Sequence, residues 1–281
     1  MRKKFLLLPL SVILCAVIFH IPASTVLKNT PDTDVSRETS QQQTAPEKYS
    51  AVTENISPVS GTENFISNNN TPEPDKDNNK ESVRYAALTF DDGPHPGTTD
   101  RLLDGLLERN IHATFFLVGE EAAAHPELVL RMQNEGHQIG NHTWSHKRLE
   151  SLDQDEMIQE IGKTDAFLQS LLGTDSYWLR PPYGLIRQGS ESFIQVPMIQ
   201  WSVDPRDWES RDTDKVVQTV LEDVRPNSII LLHDIYPTSV EAALQLADIL
   251  PARGYELVSV AELFQINHIV PLPGVMYRNA D

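Results

Sequence analysis

From about residue 84 onward, short apolar runs alternate with stretches whose apolar positions recur every three or four residues. RYAALTF (84–90), ATFFLV (113–118), HQIGNH (137–142), SYWLR (176–180), MIQWSV (198–203), SIILLH (228–233) and ELVSV (256–260) have the length of strands. Several are nearly continuous in apolar residues, as strands covered on both faces are. Between them TTDRLLDGLLERN (98–110), PELVLRMQNEG (126–136), DQDEMIQEIGKTDAFLQSLLG (153–173), TDKVVQTVLEDV (213–224) and SVEAALQLADIL (239–250) read as amphipathic helices. Gly136, Gly173 and Gly254 fall where a chain leaves a helix. This alternation predicts an α/β fold with a parallel sheet under helices, and about seven units predict a distorted (β/α) barrel. In such a barrel the chemistry gathers at the C-terminal ends of the strands.

The pattern does not extend to the start of the chain. Arg2, Lys3 and Lys4 precede an apolar run from Phe5 to about Phe19, so 1–24 reads as a secretory signal or as an anchor that attaches the chain to a membrane through residues 5–23. Cys15 follows the bulky Leu14 rather than a small residue, which argues for one more apolar side chain and against a lipidation site. Residues 25–82 are rich in Thr, Ser, Asn, Gln, Pro and acids, and lack any period. They cannot bury enough apolar surface to offset their ordering entropy, and are expected to form a disordered spacer. The folded domain is expected over 83–266, followed by a tail at 267–281.

Charge and cysteine content narrow the chemistry. The chain carries 23 Lys and Arg against 40 Asp and Glu, a net of −17. A phosphate backbone needs a basic surface, so nucleic acid is excluded as a partner; a neutral or amine-bearing polymer fits better, and no protein partner is implied. Cys15 is the single cysteine. A mature exported chain then has neither disulfides nor thiolate ligands, and any transition metal must be held by His and carboxylate.

Polar clusters stand at the expected strand ends. Asp91-Asp92 close the first strand, NHTWSH (141–146) follows the third, RPPYG (180–184) the fourth, DPRDW (204–208) the fifth, and LLHD (231–234) ends the sixth. His142 and His146 are four apart, which on a helical turn places both rings on one face. Joined by a carboxylate from the first strand end, they make a three-donor set with open positions, as in catalytic zinc sites. The same donors suit Fe(II) oxygenases, which are usually built on antiparallel sheets. If Asp92 binds the metal, its charge is neutralised and Asp91 stays ionised beside it as a base; the alternative is a cap and a solvated acid. Arg180 is placed to clamp a carboxylate bidentately. An Asp207–His233 pair would raise the His pKa and make it the better acid.

These five motifs, TFDDGP (89–94), HTWSH (142–146), RPPYG (180–184), DPRDW (204–208) and LLHD (231–234), resemble in content and order those of the NodB-homology polysaccharide deacetylases, carbohydrate esterase family 4. The resemblance covers about 84–265. It implies Asp91 as catalytic base, Asp92, His142 and His146 as ligands of one divalent metal (zinc, with cobalt or nickel as alternatives), and Arg180 as the residue that orients Asp91. It further implies the Tyr183 N–H as oxyanion donor, Asp207 as the tuner of the acid His233, and Trp208 and Leu231 as the lining around the acetyl methyl. The implied reaction is hydrolysis of N-acetyl groups on an N-acetylated glycan, with N-acetylglucosamine of peptidoglycan expected first. Chitin oligosaccharides, poly-N-acetylglucosamine and acetylxylan are alternatives, as is a non-catalytic glycan-binding protein. An export signal and spacer place the domain outside the cytoplasm, near a bacterial cell wall.

Overall fold

The structure, a computed structural model, describes residues 83–174 and 176–281. The expected signal or anchor and the expected spacer lie outside the described residues. Among those described, no helix is long and apolar enough to cross a membrane.

Strand β1 (Arg84–Asp91) is the hub, and its two faces serve different layers. Ala86, Leu88 and Phe90 join the large apolar cluster beneath the helices, whereas Tyr85 and Ala87 belong to a second, inner cluster. By the same alternation Thr89 and Asp91 continue the inner column toward the strand's C-terminal end. β5 (Ser228–His233) runs parallel along one edge of β1 from Ala86 to Asp91. The other edge is shared: β6 (Tyr255–Leu257) pairs with Arg84–Ala86, and β2 (Thr114–Leu117) pairs with Thr89–Asp91. β3 (Gln138–Asn141) lies parallel to β2.

Single bridges carry the ring round the remaining side. Asn141 meets Leu179, Leu179 meets Met198 of β4 (Met198–Ile199), and Val203 meets Ile230 of β5. The expected strands at 176–180 and 198–203 are therefore much reduced. Pro181, Pro182 and Pro197 flank them and have no N–H to give to a ladder. β7 (Met276–Tyr277) pairs parallel with β4, and Asn279 bridges Ser228. The C-terminal residues, set apart as a tail in the sequence, thus fill the gap between β4 and β5 at the base and bury Ala280.

The helices are α1 (Thr99–Glu108), α2 (Gly119–Ala124), α3 (Pro126–Asn134), α4 (Gln154–Leu172), α5 (Asp207–Ser210), α6 (Thr213–Asp223), α7 (Pro237–Ala252) and α8 (Val260–Ile266). The five expected from periodicity are α1, α3, α4, α6 and α7. α4 begins at a capping box between Asp153 and Glu156 and ends at Gly173, whose φ of 72° is the left-handed conformation anticipated there. α2, α5 and α8 span two turns or fewer and leave no readable period. α8 takes residues expected to finish the last strand, because Ser259 and Glu262 form a second capping box that starts a helix at Val260. Its Val260, Leu263 and Phe264 pack against Ala87, Phe116, Ile199 and Ile229, plugging the base of the barrel with apolar side chains. The polar inner residues stand above this plug, at the opposite end.

Candidate active site

Asp91 ends β1 and is 3 % exposed. Its Oδ1 accepts a 2.7 Å bond from Arg180 Nη1, and Arg180 is wholly buried. The guanidinium does not make the bidentate clamp expected of it. Nη1 also donates to Thr89 Oγ1, Nε to the Ile199 carbonyl and Nη2 to the Gln200 carbonyl, while Cζ stands 4.1 Å from the centre of the Phe116 ring. A buried cation must satisfy its donors, and this one spreads them over four acceptors, two on β1 and two at the end of β4. Only one oxygen of Asp91 is engaged by Arg180, which leaves Oδ2 facing His142 Nε2 at 3.7 Å.

His142 and His146 do not lie on a helical turn. The segment from His142 to His146 is an irregular loop with positive φ at Thr143 (67°) and His146 (55°), and this bend brings the two ring centres to 4.9 Å. Two buried acceptors hold the loop. Asn141 Oδ1 accepts the Thr143 N–H at 2.7 Å, and the Glu160 carboxylate accepts the Ser145 N–H and hydroxyl and pairs with Lys147.

Asp92, itself at φ 74°, turns its carboxylate toward both rings: Oδ1 is 3.5 Å from His142 Nε2 and 3.2 Å from His146 Nε2. The donor set fits a metal ion. His142 Nδ1 is 2.6 Å from the Arg180 carbonyl, which can only accept, so Nδ1 carries a proton and Nε2 is the nitrogen left to face Asp92. Asp92 Oδ1 is buried and has no hydrogen-bond donor. One carboxylate oxygen and two imidazole nitrogens, with ligand atoms all within 4.8 Å of one another, converge on a space that suits a metal cation. Burial pushes Asp92 upward, yet the imidazoles of His142, His233 and His146 outweigh it and hold the carboxyl at about 2, ionised at any working pH.

Across the cavity, Asp207 is fully buried at the start of α5 and gives both oxygens to one residue. Oδ1 lies 2.8 Å from His233 Nδ1, and Oδ2 accepts the His233 backbone N–H at 2.8 Å. Burial lowers the His233 pKa, but the hydrogen bond and charge of Asp207 outweigh it and lift the imidazole from 6.5 to about 9. The expected pair is formed. A cavity of about 330 Å³ joins Asp91, Asp92, His142, His146 and His233, with Tyr183, Trp208 and Leu231 in its wall. Tyr183 has φ 61°, and its backbone N–H has no intramolecular partner among the described residues. All ten residues singled out in the sequence therefore meet at or directly behind one cavity.

Comparison with known proteins agrees with this geometry. Residues 78–194 match the family described as polysaccharide deacetylase. The peptidoglycan-N-acetylglucosamine deacetylase of Bacillus cereus is 39% identical over 186 residues, covering 64% of this chain and 68% of that protein. The chain belongs to the polysaccharide deacetylase family. Another relative is the peptidoglycan-N-acetylmuramic acid deacetylase PdaC of Bacillus subtilis, 39% identical over 183 residues, 65% of this chain and 39% of PdaC. The chain thus spans about two fifths of the length of the first curated relatives it matches, at 39% and 38%. Among solved structures, a family 4 acetyl xylan esterase from Clostridium thermocellum in complex with a cobalt ion is 33% identical, with a TM-score of 0.66, covering 70% of this chain and 98% of that one.

Other residues of this cavity were given no role from the sequence. Trp201 lines the cavity, while Trp144 packs on Phe167 and Trp178 on Phe264. Asp204 and Tyr236 also line it. Asp234 is 1 % exposed behind it, accepts the Thr99 hydroxyl, and packs so tightly on Gly93 that a Cβ there would collide with its carboxylate. Burial pushes Asp234 up to about 7. The sequence offered Asp234 only as the last letter of LLHD.

Proposed function

We propose that this chain is a metal-dependent hydrolase that removes N-acetyl groups from peptidoglycan, N-acetylglucosamine first, and releases acetate. The observation that carries the reading is the placement of a held carboxylate, a three-donor metal set and a protonated imidazole around one cavity. Relatives named as peptidoglycan and chitooligosaccharide deacetylases support the substrate class, and chitin oligosaccharides are the second substrate to test. On this reading the action lies outside the cytoplasm, near the cell wall; relatives named as peptidoglycan deacetylases and the apolar N-terminal sequence support it.

Asp92, His142 and His146 would hold one divalent ion, zinc first among the choices, which when bound lowers the pKa of water toward about 7 and polarises a carbonyl. Asp91 takes a proton from the attacking water on Oδ2, since Arg180 occupies Oδ1. The free Tyr183 N–H stabilises negative charge developing on the acetyl oxygen. His233, charged at neutral pH because of Asp207, gives its proton to the departing nitrogen, without which an amide nitrogen is a very poor leaving group. Trp208 and Leu231 enclose the methyl group. Water adds across the C–N bond, leaving acetate and a free amine.

The test is acetate release by the full chain from purified peptidoglycan and from chitin oligomers, after chelation and after zinc or cobalt is returned. Activity should vanish with the chelator and return with metal. Asp91→Asn should lower kcat by roughly 10²–10⁴-fold while calorimetry shows metal still bound. Activity retained by Asp91→Asn would overturn its role as base, and release from chitin alone would replace peptidoglycan as the substrate.

A further inference from the structure

Four aromatic rings line the cavity, and each has an arginine over it. Arg180 stands 5.7 Å from the centre of the Trp201 ring, Arg148 4.4 Å from Tyr183, Arg206 5.5 Å from Trp208 and Arg211 3.3 Å from Tyr236. In a chain of net charge −17 this is a local concentration of positive charge. Three of the four are neutralised within the protein: Arg180 by Asp91, Arg148 by Glu150 at 2.7 Å and Arg206 by Glu209 at 2.7 Å. Arg211 has no carboxylate partner among the described residues. Among the described residues its side chain makes one hydrogen bond, from Nε to the Trp208 carbonyl at 2.6 Å, which leaves both Nη groups without an acceptor.

Arg211 is also held in place. It caps α5 at φ 48°, ψ 34°, a conformation that costs a non-glycine residue free energy and persists only where its surroundings enforce it. The Nε bond and the contact with Tyr236, whose ring centre lies 3.3 Å from Cζ, restrain the guanidinium and leave the Nη edge of this exposed side chain free. Such an edge matches a carboxylate. The acids nearby are engaged elsewhere. Asp207 is taken by His233, Asp212 by Lys215, and Asp204 accepts the Arg206 N–H.

We propose that Arg211, laid on Tyr236 at the edge of the cavity, is a specificity residue that binds a carboxylate borne by the glycan close to the acetamido group under attack. This rests on the glycan-hydrolase reading and deepens it. The preferred substrate is an acidic glycan strand rather than a neutral homopolymer. Peptidoglycan supplies such a carboxylate from two sources, the lactyl ether of muramic acid and the acidic residues of its peptide stems.

The experiment compares kcat/KM for acetate release by the full chain on three length-matched glycans: peptidoglycan strands with stems, strands stripped of stems so that lactyl carboxylates are free, and neutral N-acetylglucosamine oligomers. The wild-type protein should prefer at least one anionic glycan, and added salt should weaken the preference. Preference for stripped strands assigns the lactyl carboxylate; preference for stem-bearing strands alone assigns the peptide. Arg211→Gln should reduce the anionic-to-neutral ratio about tenfold, chiefly through KM, as expected for loss of one charge-assisted contact. Arg211→Lys, which keeps the charge but not the fork, should fall between. A wild-type protein without preference, or a ratio unchanged in both variants, overturns the proposal. If no glycan is turned over, the hydrolase reading fails, and the affinity ratio for the same glycans, measured by calorimetry, decides Arg211 by the same criterion.

Discussion

Asp207 spends both its oxygens on His233, and the pH behaviour of the site follows from that. The folded pKa of His233 is above its ordinary value, so the pair adds stability that is complete below about pH 6.5 and is withdrawn as pH rises through about 9. Protonated His233 is the proposed acid, so kcat should also fall through about pH 9. In Asp207→Asn the charge is gone, and the descending limb of the pH–rate profile should move from about 9 toward 6.5; a limb that stays at 9 would remove His233 as its source. At this scale the sequence was most legible where polar residues interrupt a strand end, as at Asp91, Asp92 and His233. It was least legible where an ordinary residue acquires its setting only by folding. Nothing about Trp201 distinguishes it from Trp178 until one faces the cavity and the other faces Phe264. Arg180 was found, but its fork was assigned to one carboxylate when burial obliges it to serve four acceptors.

The histidine loop after β3 shows how a correct pairing can rest on the wrong element. A spacing of four suggests a helix, yet the two rings meet because the backbone turns left-handed at Thr143 and His146. Such a loop needs outside support, and α4 provides it through Glu160, a 7 % exposed carboxylate that receives Ser145 and Lys147. Glu160→Ala touches none of the three proposed ligands. It should nevertheless weaken metal binding by about 10–100-fold, as loss of a group supporting a ligand does, with little change in far-ultraviolet circular dichroism. Calorimetric titration with zinc would check it, and unchanged affinity would show that the loop holds itself. Long amphipathic helices were readable from their period, whereas α2 and α8 were not. The strands at 176–180 and 198–203 were placed correctly but, beside their prolines, shrink to isolated bridges and the two-residue β4, a loss that apolar content alone does not announce.

Over the whole molecule, the barrel is apolar at its base and polar at its mouth, and the alternation of β1 shows both within one strand. Net charge says little about so divided an object: a chain of net charge −17 sets Arg148, Arg206 and Arg211 against rings of its cavity wall. The base depends on the last residues, where Tyr277 packs on Phe264 with ring centres 5.1 Å apart and Ala280 is buried. Removing 275–281 should cost roughly 2–5 kcal/mol, the range for deleting a large packed side chain. That would lower the Tm by about 5–15 °C in calorimetry. An unchanged melting temperature would show that the gap between β4 and β5 closes without them. The wedge made by β7 also sets an order of assembly. A ribosome delivers β1 first and β7 last, so the hub of the barrel must wait through most of synthesis for the segment that seals its base. Until residues 276–280 emerge, the inner cluster lacks their cover, and the nascent chain has a strand edge at β4 that a chaperone, or a neighbouring copy, can reach before β7 does.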